Sequence, residues 1–337
     1  MMSPAAMTLG QEAYYATLAA EDYYLNGGEP PGKWHGKGAS RLGLGATVST
    51  EQVKAAFRGF DPTTGEALVQ HQKGRTRQPG WDLTFSAPKS VSVLWATLPE
   101  EEHRRAIAKA HEHAVRQALD YLESAAVHSR RGAGGKSFEH AELLFAMFEH
   151  GTSRAADPQL HTHALLLNAG FRASDSTWGA LESKPLYEEF RFAAGSLYRM
   201  ALATQLGALG YETVARNEGK LHSFELQQVP RELCEHFSKR RAQIESYIEE
   251  HGLPATTENF ARAALYTRSI KGHVARGELF EHWATEAAQE SGFTSDGPER
   301  KALMLSEHEQ WVVVSGAAKS ALAELLREAQ PSTRRSL

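Results

Sequence analysis

Three histidines carry the strongest chemical signal in the chain. In residues 142–168 two apolar runs, 143–148 and 164–167, flank a turn rich in Gly, Ser, Asp and Pro. That pattern predicts two strands and a loop, with an antiparallel hairpin as the simplest connection. Residues i and i+2 of a strand share a face. His161 and His163 therefore project side by side, and the returning hairpin brings His150 opposite them. Three imidazoles converging from two strands suit one divalent cation with open coordination positions. The competing reading is a set of half-buried histidines bonded to backbone.

A second His-x-His, His111-Glu112-His113, serves as an internal control. It falls in residues 100–127, where Ile107, Val115, Leu119 and Leu122 recur at helical spacing. On a helix, i and i+2 point roughly 200° apart, so these two cannot share a metal. They are expected to face solvent.

The elements that must position such a site are legible in outline. The strand at 80–88 alternates Trp81, Leu83 and Phe85 with Asp82, Thr84 and Ser86. Asp82 is then either a solvated residue or the partner of a metal-bound histidine. Residues 91–95 continue that strand or begin a helix. Thr8 caps a predicted helix running through the tyrosine pairs Tyr14-Tyr15 and Tyr23-Tyr24 to Asn26-Gly27-Gly28. A loop is expected over 28–45, a short helix over 51–57, and a connector over 129–137. The connector's Gly-Gly-Lys-Ser resembles a phosphate loop, but Arg130 replaces the leading glycine and the helix-then-strand order is reversed, so nucleotide binding is rejected there. From Pro185 onward helices are expected over 187–209, 230–251, 257–266, 277–290 and 317–328, with a short hairpin at 210–224.

Composition sets the outer bounds. At 337 residues, one large domain with appendages or two domains is the prior. The hydrophobic content of 41% supports a sizeable core, and no apolar run approaches the ~20 residues of a membrane helix. No secretory signal is visible at the N-terminus. The single cysteine, Cys234, excludes an internal disulfide, fits a reducing compartment, and reads as a packing residue. A net charge of −4 does not announce a nucleic-acid binder, although basic residues cluster at 33–41, 73–77, 130–131 and 239–241. Phosphate binding depends on local rather than net charge.

Several blocks in fixed order resemble the MobF family of conjugative relaxases, within the HUH endonuclease superfamily. They are the paired tyrosines, Trp34-His-Gly-Lys-Gly38, Asp82-Leu-Thr-Phe-Ser-Ala-Pro-Lys-Ser90, and the stretch from His150 to His163. Leu209-Gly-Tyr-Glu212 and Phe237-Ser-Lys-Arg240 fit as well. The resemblance covers residues 1–295, taken as one relaxase domain with 230–295 as a helical, fingers-like lobe. Residues 296–337 are left as a partly helical or disordered tail. It implies an α+β fold whose central antiparallel, palm-like sheet carries the three histidines, with helices behind.

The resemblance also implies a reaction. A tyrosine attacks a phosphodiester at an origin of transfer, leaving a 5′-phosphotyrosine and a free 3′-hydroxyl. Tyr14 is the expected first nucleophile, with Tyr15 beside it, and Tyr23 and Tyr24 supply the terminating strand transfer. His150, His161 and His163 hold one divalent ion on the scissile phosphate, and Asp82 orients a histidine or accepts the tyrosine proton. Imidazoles alone favour Zn²⁺, Ni²⁺ or Cu²⁺, whereas the resemblance implies Mg²⁺ or Mn²⁺, and no nucleotide. Lys89, Arg154, Arg75 and Arg77 lie near the matched blocks and are candidate phosphate contacts. The implied partners are single-stranded and hairpin origin DNA, accessory relaxosome proteins and the coupling protein of a type IV secretion system. The implied location is the bacterial cytoplasm, without membrane insertion, with transfer alongside the DNA. The chain has no Walker A motif, so a helicase domain of the family is expected to be absent from it. Two rival classes remain open: a histidine-metal hydrolase of another substrate, and a non-catalytic DNA-binding regulator.

Overall fold

The structure is a computed structural model that describes residues 2–8, 10–11, 29–69, 77–131, 137–218, 221–267 and 276–295. In chain order it begins with β1 (Met2–Ala6), β2 (Lys33–His35), α1 (Lys37–Arg41), α2 (Thr50–Arg58) and β3 (Gly80–Ser86). There follow α3 (Lys89–Thr97) and α4 (Glu101–Tyr121), which runs into a π-helical stretch at Leu122–Ala126. Next come β4 (His128–Arg131), β5 (Ser137–His140), β6 (Phe145–Thr152), β7 (Pro158–Leu167), β8 (Gly170–Arg172), β9 (Thr177–Gly179) and β10 (Leu181–Glu182). A second π-helical stretch, Leu186–Phe190, leads into α5 (Arg191–Ala208). The hairpin β11 (Thr213–Glu218) and β12 (Leu221–Leu226) precedes α6 (Arg231–His236), α7 (Lys239–Glu250), α8 (Thr257–Tyr266) and α9 (Arg276–Ser291).

Five strands form the central sheet in the order β1-β3-β7-β6-β2, every pair antiparallel. Its register sorts side chains by face, because cross-strand partners point the same way. Trp81, Leu83 and Phe85 of β3, Phe145 and Met147 of β6, and Ala164 and Leu166 of β7 share one face. They join Val115, Leu119, Tyr198 and Leu202 from α4 and α5 in the larger core. The other face carries Ala146 and Phe148 of β6 and Leu165 and Leu167 of β7, packed with Trp34, Val53 and Phe57 in a smaller core. His150, His161 and His163 lie on this second face, at the end of the smaller core. Burying both faces explains why β6 and β7 carry unbroken apolar runs, Phe145–Phe148 and Ala164–Leu167, where β3 alternates.

Local sequence accounts for the helix boundaries. At α2, the Ser49 hydroxyl accepts from the Gln52 amide while the Gln52 side chain accepts from the Ser49 amide, and Gly59 ends the helix in the left-handed conformation. Thr256 caps α8 through the Asn259 amide. α8 has the predicted bounds, and α9 is within a residue of them.

Four expectations are revised, and one strand lies in a stretch for which no element was expected. The N-terminus begins as a strand, β1, which covers the edge of β3. Residues 33–35, read as loop, pair with β6 because Trp34 has an apolar sheet face to fill. Residues 129–131 are strand rather than connector and pair with β5. His111 is fully buried rather than solvent-facing, since α4 lays it against the sheet. The single helix expected over 230–251 is two, α6 and α7, broken where the fully buried Phe237 turns inward and its carbonyl accepts from Lys89. The predicted helices over 11–24 and 317–328 lie largely or wholly outside the described residues.

Candidate functional site

The β6–β7 turn is organised by its own polar side chains. The Ser153 hydroxyl accepts from the Ala155 and Asp157 amides, and the Ser153 amide donates back to the Asp157 carbonyl. Side-chain-to-backbone bonds of this kind favour turns over continued strand. Ala156 takes a positive φ of 60°, and its carbonyl accepts from the Trp283 indole at 2.9 Å, tying the turn to α9. A register irregularity falls between His150 and Thr152. A Cβ on the intervening Gly151 would meet the Trp95 ring at 2.6 Å, so only glycine fits there.

This turn delivers the three imidazoles to one point. His150 is the cross-strand partner of His161, and the ring centroids stand 5.4 Å (150–161), 5.3 Å (150–163) and 5.2 Å (161–163) apart. Three imidazoles bound at about 2.1 Å to one ion in tetrahedral directions would place their centroids roughly 5 Å apart. His161 Nδ1 lies 2.7 Å from the Gln159 carbonyl, and His163 Nδ1 lies 2.8 Å from Asp82 Oδ2 and 3.0 Å from Oδ1. Both contacts make Nδ1 the protonated nitrogen and give Nε2 to the ligand role, the usual outer-sphere arrangement of metal-bound histidine. As the side chains stand, no three His, Cys, Asp or Glu groups among the described residues already close into a metal cage. The centroid spacings nevertheless match those of three imidazoles around one ion. The donor set therefore fits a divalent ion.

Asp82 is buried on β3 and is held in turn. Thr84, the cross-strand partner of His163, donates to Asp82 Oδ1 at 3.2 Å. The carboxylate is thereby aimed at one histidine from the neighbouring strand.

The other candidates divide sharply. Tyr14, Tyr15, Tyr23, Tyr24 and Arg75 lie outside the described residues. Arg154 sits in the β6–β7 turn itself, two residues after the end of β6. Lys89 and Arg77 are occupied with main chain instead. Lys89 Nζ donates to the Pro158 and Phe237 carbonyls, each at 2.9 Å, and burial pushes its pKa below the usual lysine value. Arg77 donates to the Phe57 and Asn168 carbonyls, and burial lowers its pKa to about 10. Cys234 packs against the larger core, and burial raises its thiol to about 12.

One cluster beside the site was not anticipated. Arg276, the first residue of α9, donates to Glu29 Oε2 and Glu149 Oε1, both at 3.0 Å. The second Glu29 oxygen accepts from the Gly151 amide at 3.0 Å, and the guanidinium lies 4.9 Å from the Trp95 ring centre. These residues are far apart in sequence and charged, so no periodicity marks them.

The family model described as TrwC relaxase matches residues 9–290. An α+β domain with a three-histidine hairpin on its central antiparallel sheet, matched over that span, is a conjugative relaxase domain. The Multifunctional conjugation protein TraI of Escherichia coli (strain K12) is 34% identical over 306 residues, 87% of this chain and 16% of TraI. A metal-bound structure of the conjugative relaxase TrwC with oriT DNA is 32% identical with a TM-score of 0.74, covering 86% of this chain and 98% of that one. TrwC with a 27-mer comprising the recognition hairpin and the cleavage site gives 31% identity and a TM-score of 0.73 over the same shares. The chain belongs to the TrwC relaxase family. It spans about a sixth of the length of TraI, 16%. Among the described residues no helix is long and apolar enough to cross a membrane.

Proposed function

We propose that this protein nicks one DNA strand at a plasmid origin of transfer and carries it as a covalent 5′-phosphotyrosine, to begin and end conjugative transfer. The observation that carries this reading is the convergence of His150, His161 and His163, with His163 buttressed by Asp82. Those rings would hold one divalent cation, for which Mg²⁺ or Mn²⁺ is the proposal and Zn²⁺ or Ni²⁺ the alternative from ligand chemistry. Once bound, the cation supplies Lewis-acid polarisation of the scissile phosphate and offsets its developing charge.

The remaining steps belong to the chain's own groups. The phenol oxygen of Tyr14, with Tyr15 as its neighbour, bonds to phosphorus as the P–O3′ bond breaks, and the 3′-hydroxyl leaves protonated. Phenol is weakly nucleophilic until it loses its proton, with a free pKa near ~10. Asp82 serves this step by orienting His163 or by taking that proton. Tyr23 and Tyr24 supply the second transfer, in which a 3′-hydroxyl reverses the bond and reseals the strand. Arg154, at the mouth of the histidine hairpin, contacts a phosphate, and Arg75 remains a candidate for another. Single-stranded and hairpin DNA are the proposed ligands, with residues 230–295 as a lobe over the bound strand and residues 296–337 as a separate tail. Relaxosome accessory proteins, a secretion coupling protein and a cytoplasmic location complete the reading.

Separation on a denaturing gel tests it, using origin oligonucleotides with Mn²⁺, Mg²⁺ or chelator. A metal-dependent protein–DNA adduct weakened by Tyr14→Phe supports the reading. Cleavage with no adduct would replace it with a metallohydrolase, and tight binding with no cleavage with a DNA-binding regulator.

A further inference from the structure

His111, set aside as a control for the histidine motif, touches the same strand from behind. It is fully buried on α4. Its Nδ1 lies 2.8 Å from the Tyr198 hydroxyl of α5, and its Nε2 lies 2.9 Å from the Thr162 hydroxyl of β7. Thr162 stands between His161 and His163 in sequence and points to the opposite face of the sheet. Its cross-strand partner is Phe85, whose ring centre is 5.4 Å from that of Tyr198. The Tyr198 ring also meets the His111 ring edge-on, at 5.6 Å and 89°. One imidazole thus links α4, α5 and the single strand position between two candidate metal ligands.

Building on the metal-centre reading of the histidine hairpin, we propose that His111 is a positioning residue for that centre. It pins β7 at Thr162 from the core side and so sets the angle at which His161 and His163 leave the other face. Three physical considerations support this. The apolar stripe of α4 would accept Leu or Phe at position 111 without a polar atom to satisfy, and burying an imidazole is costly unless both nitrogens find partners. Both do, in geometry that fixes direction, which dispersion contacts alone do not. A ligand constellation must also be held within about 0.5 Å and 10–20° to work, and a strand gripped on both faces meets that requirement better than one gripped on one. Burial lowers the His111 pKa to about 3, so the ring stays neutral, with one nitrogen donating and the other accepting, throughout the neutral range.

The test is Mn²⁺ binding to the full chain, measured by titration calorimetry, alongside the melting temperature of the metal-free protein. His111→Phe keeps an aromatic ring and removes both hydrogen bonds; Thr162→Val removes only the hydroxyl. Each is expected to weaken Mn²⁺ about tenfold, the lower edge of what losing an outer-sphere partner costs. His111→Gln, whose amide can serve the same hydroxyls, is expected to recover most of that loss. A lower melting temperature with unchanged Mn²⁺ affinity in both variants would make His111 a packing residue and overturn the proposal. Should His111→Phe fail to fold, Thr162→Val decides alone. Wild-type protein that takes up none of Mn²⁺, Mg²⁺, Zn²⁺ or Ni²⁺ would remove the metal-centre reading itself and the positioning role with it, an outcome distinct from the first.

Discussion

Asp82 shows how a single side chain converts a strand pattern into chemistry. It has a chemical partner, His163 Nδ1 at 2.8 Å, and a support, the Thr84 hydroxyl. Asp82→Asn keeps the shape and removes the charge that favours the Nδ1–H tautomer. Mn²⁺ affinity is expected to fall ~10–100-fold while the melting temperature stays near wild type; unchanged affinity in a calorimetric titration would deny the pairing its role. His111 provides a second prediction, in pH. Its ring titrates near 3 in the folded chain against an ordinary 6.5. Below about 6.5 the unfolded chain takes a proton that the folded chain refuses, so the folded state loses stability as pH falls from about 6.5 toward 3. The slope in that window is at most about 1.4 kcal/mol per pH unit. Urea unfolding at pH 7 and pH 5 should show wild type losing more stability than His111→Gln; equal losses would contradict the buried neutral ring.

At the scale of elements, the hairpin was readable because its signal is local and periodic. Two apolar runs, a Ser/Asp/Pro turn and the i, i+2 spacing of His161 and His163 fix the register, which the paired His150 and His161 then display. The same locality made β3, α2, α4, α8 and α9 legible. What escaped depends on partners distant in sequence. β1 and β2 are edge strands recognisable only once β3 and β6 exist to pair with them. Lys89 and Arg77 look like phosphate contacts in sequence, yet each head group bonds carbonyls from segments far along the chain. That difference makes a paired prediction. Lys89→Ala leaves two carbonyls without their donor and should cost about 2 kcal/mol or more of stability in urea unfolding. Arg154→Ala should weaken oligonucleotide binding and reduce its salt slope by about one, whereas Lys89→Ala should leave that slope unchanged. The reverse assignment of effects would contradict both placements.

At the scale of the whole molecule, the sheet separates two tasks. Its larger core, under α4 and α5, stabilises the fold, while the opposite face presents the histidines at the end of a smaller one. Arg276 crosses between regions, joining α9 to Glu149 of β6 and to Glu29, whose other oxygen holds the Gly151 amide beside His150. Removing one partner of a buried ion pair typically costs ~3–5 kcal/mol, so Arg276→Ala should be among the more destabilising substitutions in the domain. A loss below about 1 kcal/mol in denaturant unfolding would place that cluster among ordinary surface pairs. The central claim is that the histidine face serves tyrosine attack on DNA, and one measurement addresses it most directly. Purified protein is incubated with single-stranded origin DNA and Mn²⁺, then run under denaturing conditions. The expected result is a covalent protein–DNA band that disappears with chelator, with His163→Ala and with all four tyrosines changed to phenylalanine. A band that survives the tyrosine changes, or cut DNA released with no band, would contradict the account.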